Sequence, residues 1–129
     1  MMFKPVLLAM ATGATLFAAA ASAQADRLAN DNRIDNKRDA FGVSSRQAAH
    51  MCFAAAEKAL QGAGYKGVQV VGLKEVERKA EGYEIEAWVS VTGGGPAWRG
   101  DDGALRGSVD CEVKRGKIVD LDFDDIPGV

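Results

Sequence analysis

From Ser44 onward the apolar positions fall into two successive rhythms. Ala49, Cys52, Phe53, Ala56, Ala59, Leu60 and Ala63 recur at intervals of three and four, the spacing that lines one face of an α-helix. Ser44 and Gln47 have the separation of a capping box, which places the helix start there. Gly62 and Gly64 supply the left-handed position that ends it, near Gln61. From Gly67 the period becomes two. Val68 and Val70, then Leu73 to Val76, predict a strand with a bulge or bend at Gly72. In "YEIEAWVSV", Tyr83, Ile85, Ala87, Val89 and Val91 alternate with Glu84, Glu86, Trp88 and Ser90, the pattern of a half-buried antiparallel strand.

Residues 92–107 read as a glycine-rich loop, and residues 108–125 as a closing hairpin. Its register follows from its two faces. A two-residue loop at Arg115-Gly116 would set Cys111 against Asp120 and bury carboxylates. A three-residue loop, Lys114-Arg115-Gly116, pairs Cys111 with Val119 and Val109 with Leu121, and puts Asp110 opposite Asp120. That register turns Val109, Cys111, Val119, Leu121 and Phe123 inward. The order of elements predicts an α+β domain over residues 44–129, one N-terminal helix packed on a four-stranded antiparallel sheet.

The segments before the domain are of a different kind. Lys4, an apolar run from Pro5 to Ala21 and the ending Ala21-Ser22-Ala23 make residues 1–23 a secretory signal peptide. The mature chain is expected to begin at Gln24 as a soluble periplasmic or secreted protein. No cysteine follows the cleavage site, so no lipid anchor and no membrane attachment are expected. Residues 24–43 are polar, rich in Asn, Asp and Arg, and read as a flexible leader or loosely docked arm, with Leu28, Ile34 and Phe41 as points of attachment.

Composition narrows the function classes. Loss of Lys4 leaves 15 basic against 18 acidic residues, a net charge of −3, with no basic patch suited to nucleic acid. The two cysteines, Cys52 and Cys111, meet an oxidising compartment after export. A bond between them would tie helix to sheet, and closing a loop of this length is worth about 4 kcal/mol. The one histidine, His50, lies off the apolar stripe. On a helix its side chain points well away from that of Cys52, so the two form neither a metal pair nor a nucleophilic one. His50 is expected at the surface or boundary, with a weak copper or zinc contact through His50 and Met51 as the alternative.

No hydrolase elbow, zinc-protease helix or phosphate loop is present. Arg99-Gly100-Asp101 is a chance tripeptide. Asp120-x-Asp122-x-Asp124 begins like a calcium loop, but Asp125 stands where such a loop needs Gly. No catalytic activity and no cofactor are expected.

The helix, the strand pair and the closing hairpin with Gly116-Lys117-Ile118 at its turn resemble the PepSY domain over about residues 45–124. That resemblance implies a non-catalytic module that binds or inhibits another exported protein, often a protease or a peptidoglycan-related enzyme. Beside it stands the chemistry of the outer face. Asp110, Asp120, Asp122 and Glu112 share one surface, which Glu84 and Glu86 extend if their strand is a neighbour. Three roles fit: a solvated face, a docking surface for a basic protein partner of the cell envelope, or a divalent-cation site. Trp88 is a large aromatic on this polar side, either covered by the 92–107 loop or by the arm through Phe41, or an interface anchor. Trp98 is either the plug of its loop or a second contact. The expected contacts are Glu84, Glu86, Trp88, Trp98, Asp110 and Asp120. The rival functions are a small-ligand or divalent-metal carrier and an enzyme of unfamiliar type.

Overall fold

A computed structural model describes residues 31–94 and 104–129. The helix α1 runs Ser45–Gly62, followed by four strands, β1 (Tyr65–Lys79), β2 (Gly82–Gly94), β3 (Leu105–Lys114) and β4 (Lys117–Asp124). The strands form one antiparallel sheet in the order β1-β2-β3-β4. The helix packs against one face of it, and Cys52 is bonded to Cys111 with their Cα atoms 5.9 Å apart.

Helix α1 starts where its cap demands. The Ser44 side chain accepts from the Gln47 amide at 3.1 Å, while Gln47 Oε1 accepts from the Ser44 amide at 3.0 Å. Gly64, in the left-handed region at φ 98°, turns the chain into β1. Ala48, Ala49, Cys52, Phe53, Ala56 and Leu60 are buried against Tyr83, Ile85, Val89, Val91, Val109, Cys111 and Val113 of the sheet. The small helix residues let α1 lie close to the strands.

Two features of the sheet differ from the sequence reading, and both come from bulges. In β1 the register slips twice, between Val70 and Gly72 and between Leu73 and Glu75, so Val71 and Lys74 are the extra residues. Each slip stretches the inward spacing from two to three, which is why Val70, Leu73 and Val76 all face the core. One bulge was expected, at Gly72; the second was not.

The β3–β4 turn is also corrected. Lys114 pairs with Lys117, leaving a two-residue loop with Arg115 at φ 52° and Gly116 at φ 78°. Two successive left-handed residues make the turn that matches strand twist. Arg115 is held there because its amide donates to the Glu81 carbonyl at 2.9 Å and its guanidinium meets the Glu81 carboxylate at 3.1 Å. A bulge at Val119 then restores the parity that a two-residue loop would have spoiled. Cys111 therefore faces Leu121, Val109 faces Phe123, and Asp110 faces Asp122 rather than Asp120. Val119 itself is 54% exposed, so it leaves the inward set.

The loop expected over 92–107 is shorter at both ends, since β2 continues to Gly94 against Tyr65 and β3 begins at Leu105. Gly107 admits a close approach that no side chain would permit: a Cβ there would collide with the Asp124 carbonyl and the Ile126 side chain. That approach lets the C-terminal tail fold back, with Ile126 in the core and the Tyr65 hydroxyl donating to the Pro127 carbonyl at 2.7 Å.

The polar composition of residues 24–43 pointed to a flexible leader, yet its described part, 31–43, is docked. Ile34 is 3% exposed within the core. The Asp35 amide donates to Ser45 Oγ at 2.8 Å, and Arg33 donates to the Leu73 and Lys74 carbonyls at 2.9 and 3.0 Å. The arm thus supplies donors to β1 carbonyls beside its second bulge. The signal segment, residues 1–23, and Leu28 lie outside the described residues.

Candidate functional site

With α1 on the inner face, no described element packs over the outer face. Three successive rungs of β2 and β3 carry the chemistry there: Glu84 opposite Glu112, Glu86 opposite Asp110, and Trp88 opposite Ser108. The next rung pairs Ser90 with Arg106. Trp88 therefore stands between the acidic rungs and the rung that carries Arg106, with Asp124 of β4 facing Ser108.

The acidic end is compact. Carboxylate oxygens of Glu84, Glu86 and Asp110 lie within 4.8 Å of one another, and all three side chains are half-buried. Asp110 is pushed up to about 6, by burial first and then by the negative charges of Glu84, Glu86 and Asp122, with a hydrogen bond to Glu84. Glu84 moves the other way because Lys79 Nζ sits 2.9 Å from its carboxylate. Asp122, facing Asp110, is raised by its hydrogen bond with Asp120 and by that residue's charge. At pH values below about 6, Asp110 is the proton donor and Glu84 the acceptor.

Trp88 is 47% exposed. The arm does not cover it: Phe41 lies instead beside Arg115, with the guanidinium carbon 6.0 Å from its ring centre. The bulged Lys74 stands with Nζ 4.6 Å from the Trp88 ring centre and 3.5 Å from Glu86 Oε2. Beside the indole a cleft of about 380 Å³ is lined by Val71, Trp88, Val89, Arg106, Gly107 and Asp125. Asp125 holds a left-handed backbone, φ 63°, where β4 turns toward Ile126.

Of the residues singled out from sequence, Glu84, Glu86, Trp88 and Asp110 are brought together. Asp120 faces Glu112 one rung away and uses its carboxylate to accept the Leu121 amide at 3.1 Å. Trp98 lies outside the described residues. Sequence reasoning missed Val71 and Lys74, the first a wall of the cleft and the second the cation over the indole, and also Arg106 and Asp125, which line the cleft. The signal for the first two was available in the three-residue spacing of Val70, Leu73 and Val76.

The carboxylate trio has the donor type of a hard divalent cation, but it offers three side chains where calcium takes six to eight oxygens. Two of the three already hold a lysine. His50 is half-buried on α1, its imidazole shifted toward the neutral form by burial and by the charge of Arg46. It sits on the helix, away from the outer face. Among the described residues no helix is long and apolar enough to cross a membrane. Compared with protein-family models, curated proteins and solved structures, the chain matches none.

Proposed function

We propose that the protein is a non-catalytic binding or inhibitory module of the periplasm or exterior, which engages another exported protein through the outer face of its sheet. The observation that carries this reading is Trp88, a half-exposed indole beside three crowded carboxylates on a sheet face that no described element covers. Large aromatics in such settings anchor interfaces, because they bury much area at small entropic cost. Glu84 and Glu86 already pair with Lys79 and Lys74, but Asp110 crowded against them has no cation among the described residues, so a basic partner gains from pairing with it. The helix-to-sheet disulfide suits an oxidising compartment. The resemblance to PepSY modules points to the same kind of role.

The test is capture from an envelope extract with the mature protein as bait, compared with a Trp88→Ala/Glu86→Gln double variant. Loss of specific partners from the variant is expected, and recovery of an unchanged set would refute the reading. A second reading, a divalent-cation carrier, is favoured by the 4.8 Å clustering of the carboxylates. It requires a thermal shift with calcium, magnesium or zinc that Asp110→Asn abolishes.

A further inference from the structure

The outer face already shows which groups it accepts. Lys74 lays an ammonium over the indole and against Glu86, and Lys79 pairs with Glu84. Both lysines come from β1. Asp110, the remaining carboxylate, has no cation paired with it among the described residues. Around it stand Glu84 and Glu86 on β2 and Asp122 on β4, all acidic, while α1 lies on the opposite side of the sheet.

The spacing of the next feature matters. The Glu86–Asp110 and Trp88–Ser108 rungs are two residues apart, about 7 Å along the strand direction. An extended chain repeats its same-side side chains at that interval. Beyond Trp88, Arg106 and Asp125 both line the apolar cleft, so their charges offset one another there, while the crowded carboxylates at the Asp110 end draw a cation.

We propose that this face binds an extended segment of another protein in which an apolar residue and a lysine or arginine stand two positions apart, the apolar side chain filling the cleft between Val71, Trp88 and Arg106 and the cation closing on Asp110. This rests on the docking reading above and adds the partner's chemistry to it. The occupant is chosen by charge complementarity: a basic residue on the Asp110 side of the apolar anchor, where carboxylates crowd together. Lys74, held over the indole and against Glu86, places a like charge beside the carboxylates that the incoming cation approaches. Because Asp110 titrates near pH 6, the segment is held at neutral pH and released on acidification. Asp122, also raised, adds to that dependence, whereas Glu84, paired with Lys79, stays ionised.

The experiment uses the mature protein and two synthetic peptides of one composition, acetylated and amidated. One reads Ser-Leu-Ser-Lys-Ser-Lys-Ser; in the other, Leu is moved next to a lysine. Calorimetric titration at low salt is expected to show the first binding at least about fivefold more tightly. Asp110→Asn, an isosteric change, should weaken it roughly tenfold, and Trp88→Ala comparably. Lys74→Gln should strengthen it a few-fold by removing a like charge and leaving Glu86 unpaired. Between pH 7.5 and 5 the ionised fraction of a group with a pKa of about 6 falls about tenfold. Affinity should follow in the native protein and hardly at all in Asp110→Asn. Thermal melts establish that each variant is folded.

Equal binding of the two peptides, indifference to Asp110→Asn, no binding of either peptide, or binding of calcium in place of the peptide would each overturn the proposal. If envelope partners are captured through Trp88 but ignore Asp110→Asn, the docking reading stands and this inference alone falls.

Discussion

Asp110→Asn should make the protein more stable at neutral pH, against the usual direction of point mutations. Folding half-buries Asp110 and brings it between Glu84, Glu86 and Asp122, which together raise it from 3.8 to about 6. The folded state therefore takes up a proton between those two values. The resulting stabilisation is complete below about pH 4 and is lost as pH rises through 6. A shift of roughly two units corresponds to about 3 kcal/mol, and solvent screening at this half-exposed site reduces that to about 1–2 kcal/mol. Asparagine carries no charge, and its amide can donate to Glu84 as the protonated acid does. At pH 7.5 the variant should then melt about 5–10 °C above the native protein, given the usual response of a domain this size. At pH 4 the two should nearly coincide. Calorimetry or urea titration at both pH values provides the check. A variant that is no more stable at pH 7.5, or whose advantage is the same at both pH values, would show that burial and the neighbouring carboxylates do not destabilise the ionised form as described.

Cys52→Ala/Cys111→Ala should lose about 4 kcal/mol, the entropy of the open loop, seen as a lower urea midpoint and mimicked by reductant on the native protein. Ile34→Ala empties a buried site between arm and core and should cost about 2–4 kcal/mol; limited proteolysis within residues 31–43 should become faster. Gly107→Ala forces the backbone away from Asp124 and Ile126 and should cost more than the native-to-alanine difference of an open site, roughly 1–3 kcal/mol, with loss of Tyr65 burial visible by near-UV dichroism.

Regular alternation was legible from sequence, and irregularity was not. The helix limits, the inward set of β2 and the Cys52–Cys111 bond follow from periodicity and parity, because burial rewards every second or every third-and-fourth residue. The hairpin register did not follow. Burial demands only that Cys111 meet an apolar residue. A three-residue loop without a bulge meets that demand as well as a two-residue loop with one at Val119. What separates them is Arg115 in the left-handed region, held by Glu81 thirty-four positions earlier, a contact no local pattern reports. The docked arm was hidden for a related reason. Its polar residues looked like solvent-seeking chain, but Arg33, Asp35 and Asp39 spend their hydrogen bonds on the backbone of β1, α1 and the arm itself.

The same bulges explain why the outer face carries a cleft at all. A strand β1 in strict alternation would place a single residue opposite Trp88 and another opposite Glu86. Each bulge adds one. Val71 becomes a wall of the cleft, and Lys74 reaches over the indole to Glu86. The added residues leave Leu73 and Lys74 carbonyls for Arg33 to satisfy, so the docked arm and the bulged strand depend on each other. Cleft, bulged lysine and arm are thus one construction. Removing the arm's anchor should loosen the site's wall as well as the core, while changing Trp88 or Asp110 should alter the site and leave the scaffold intact.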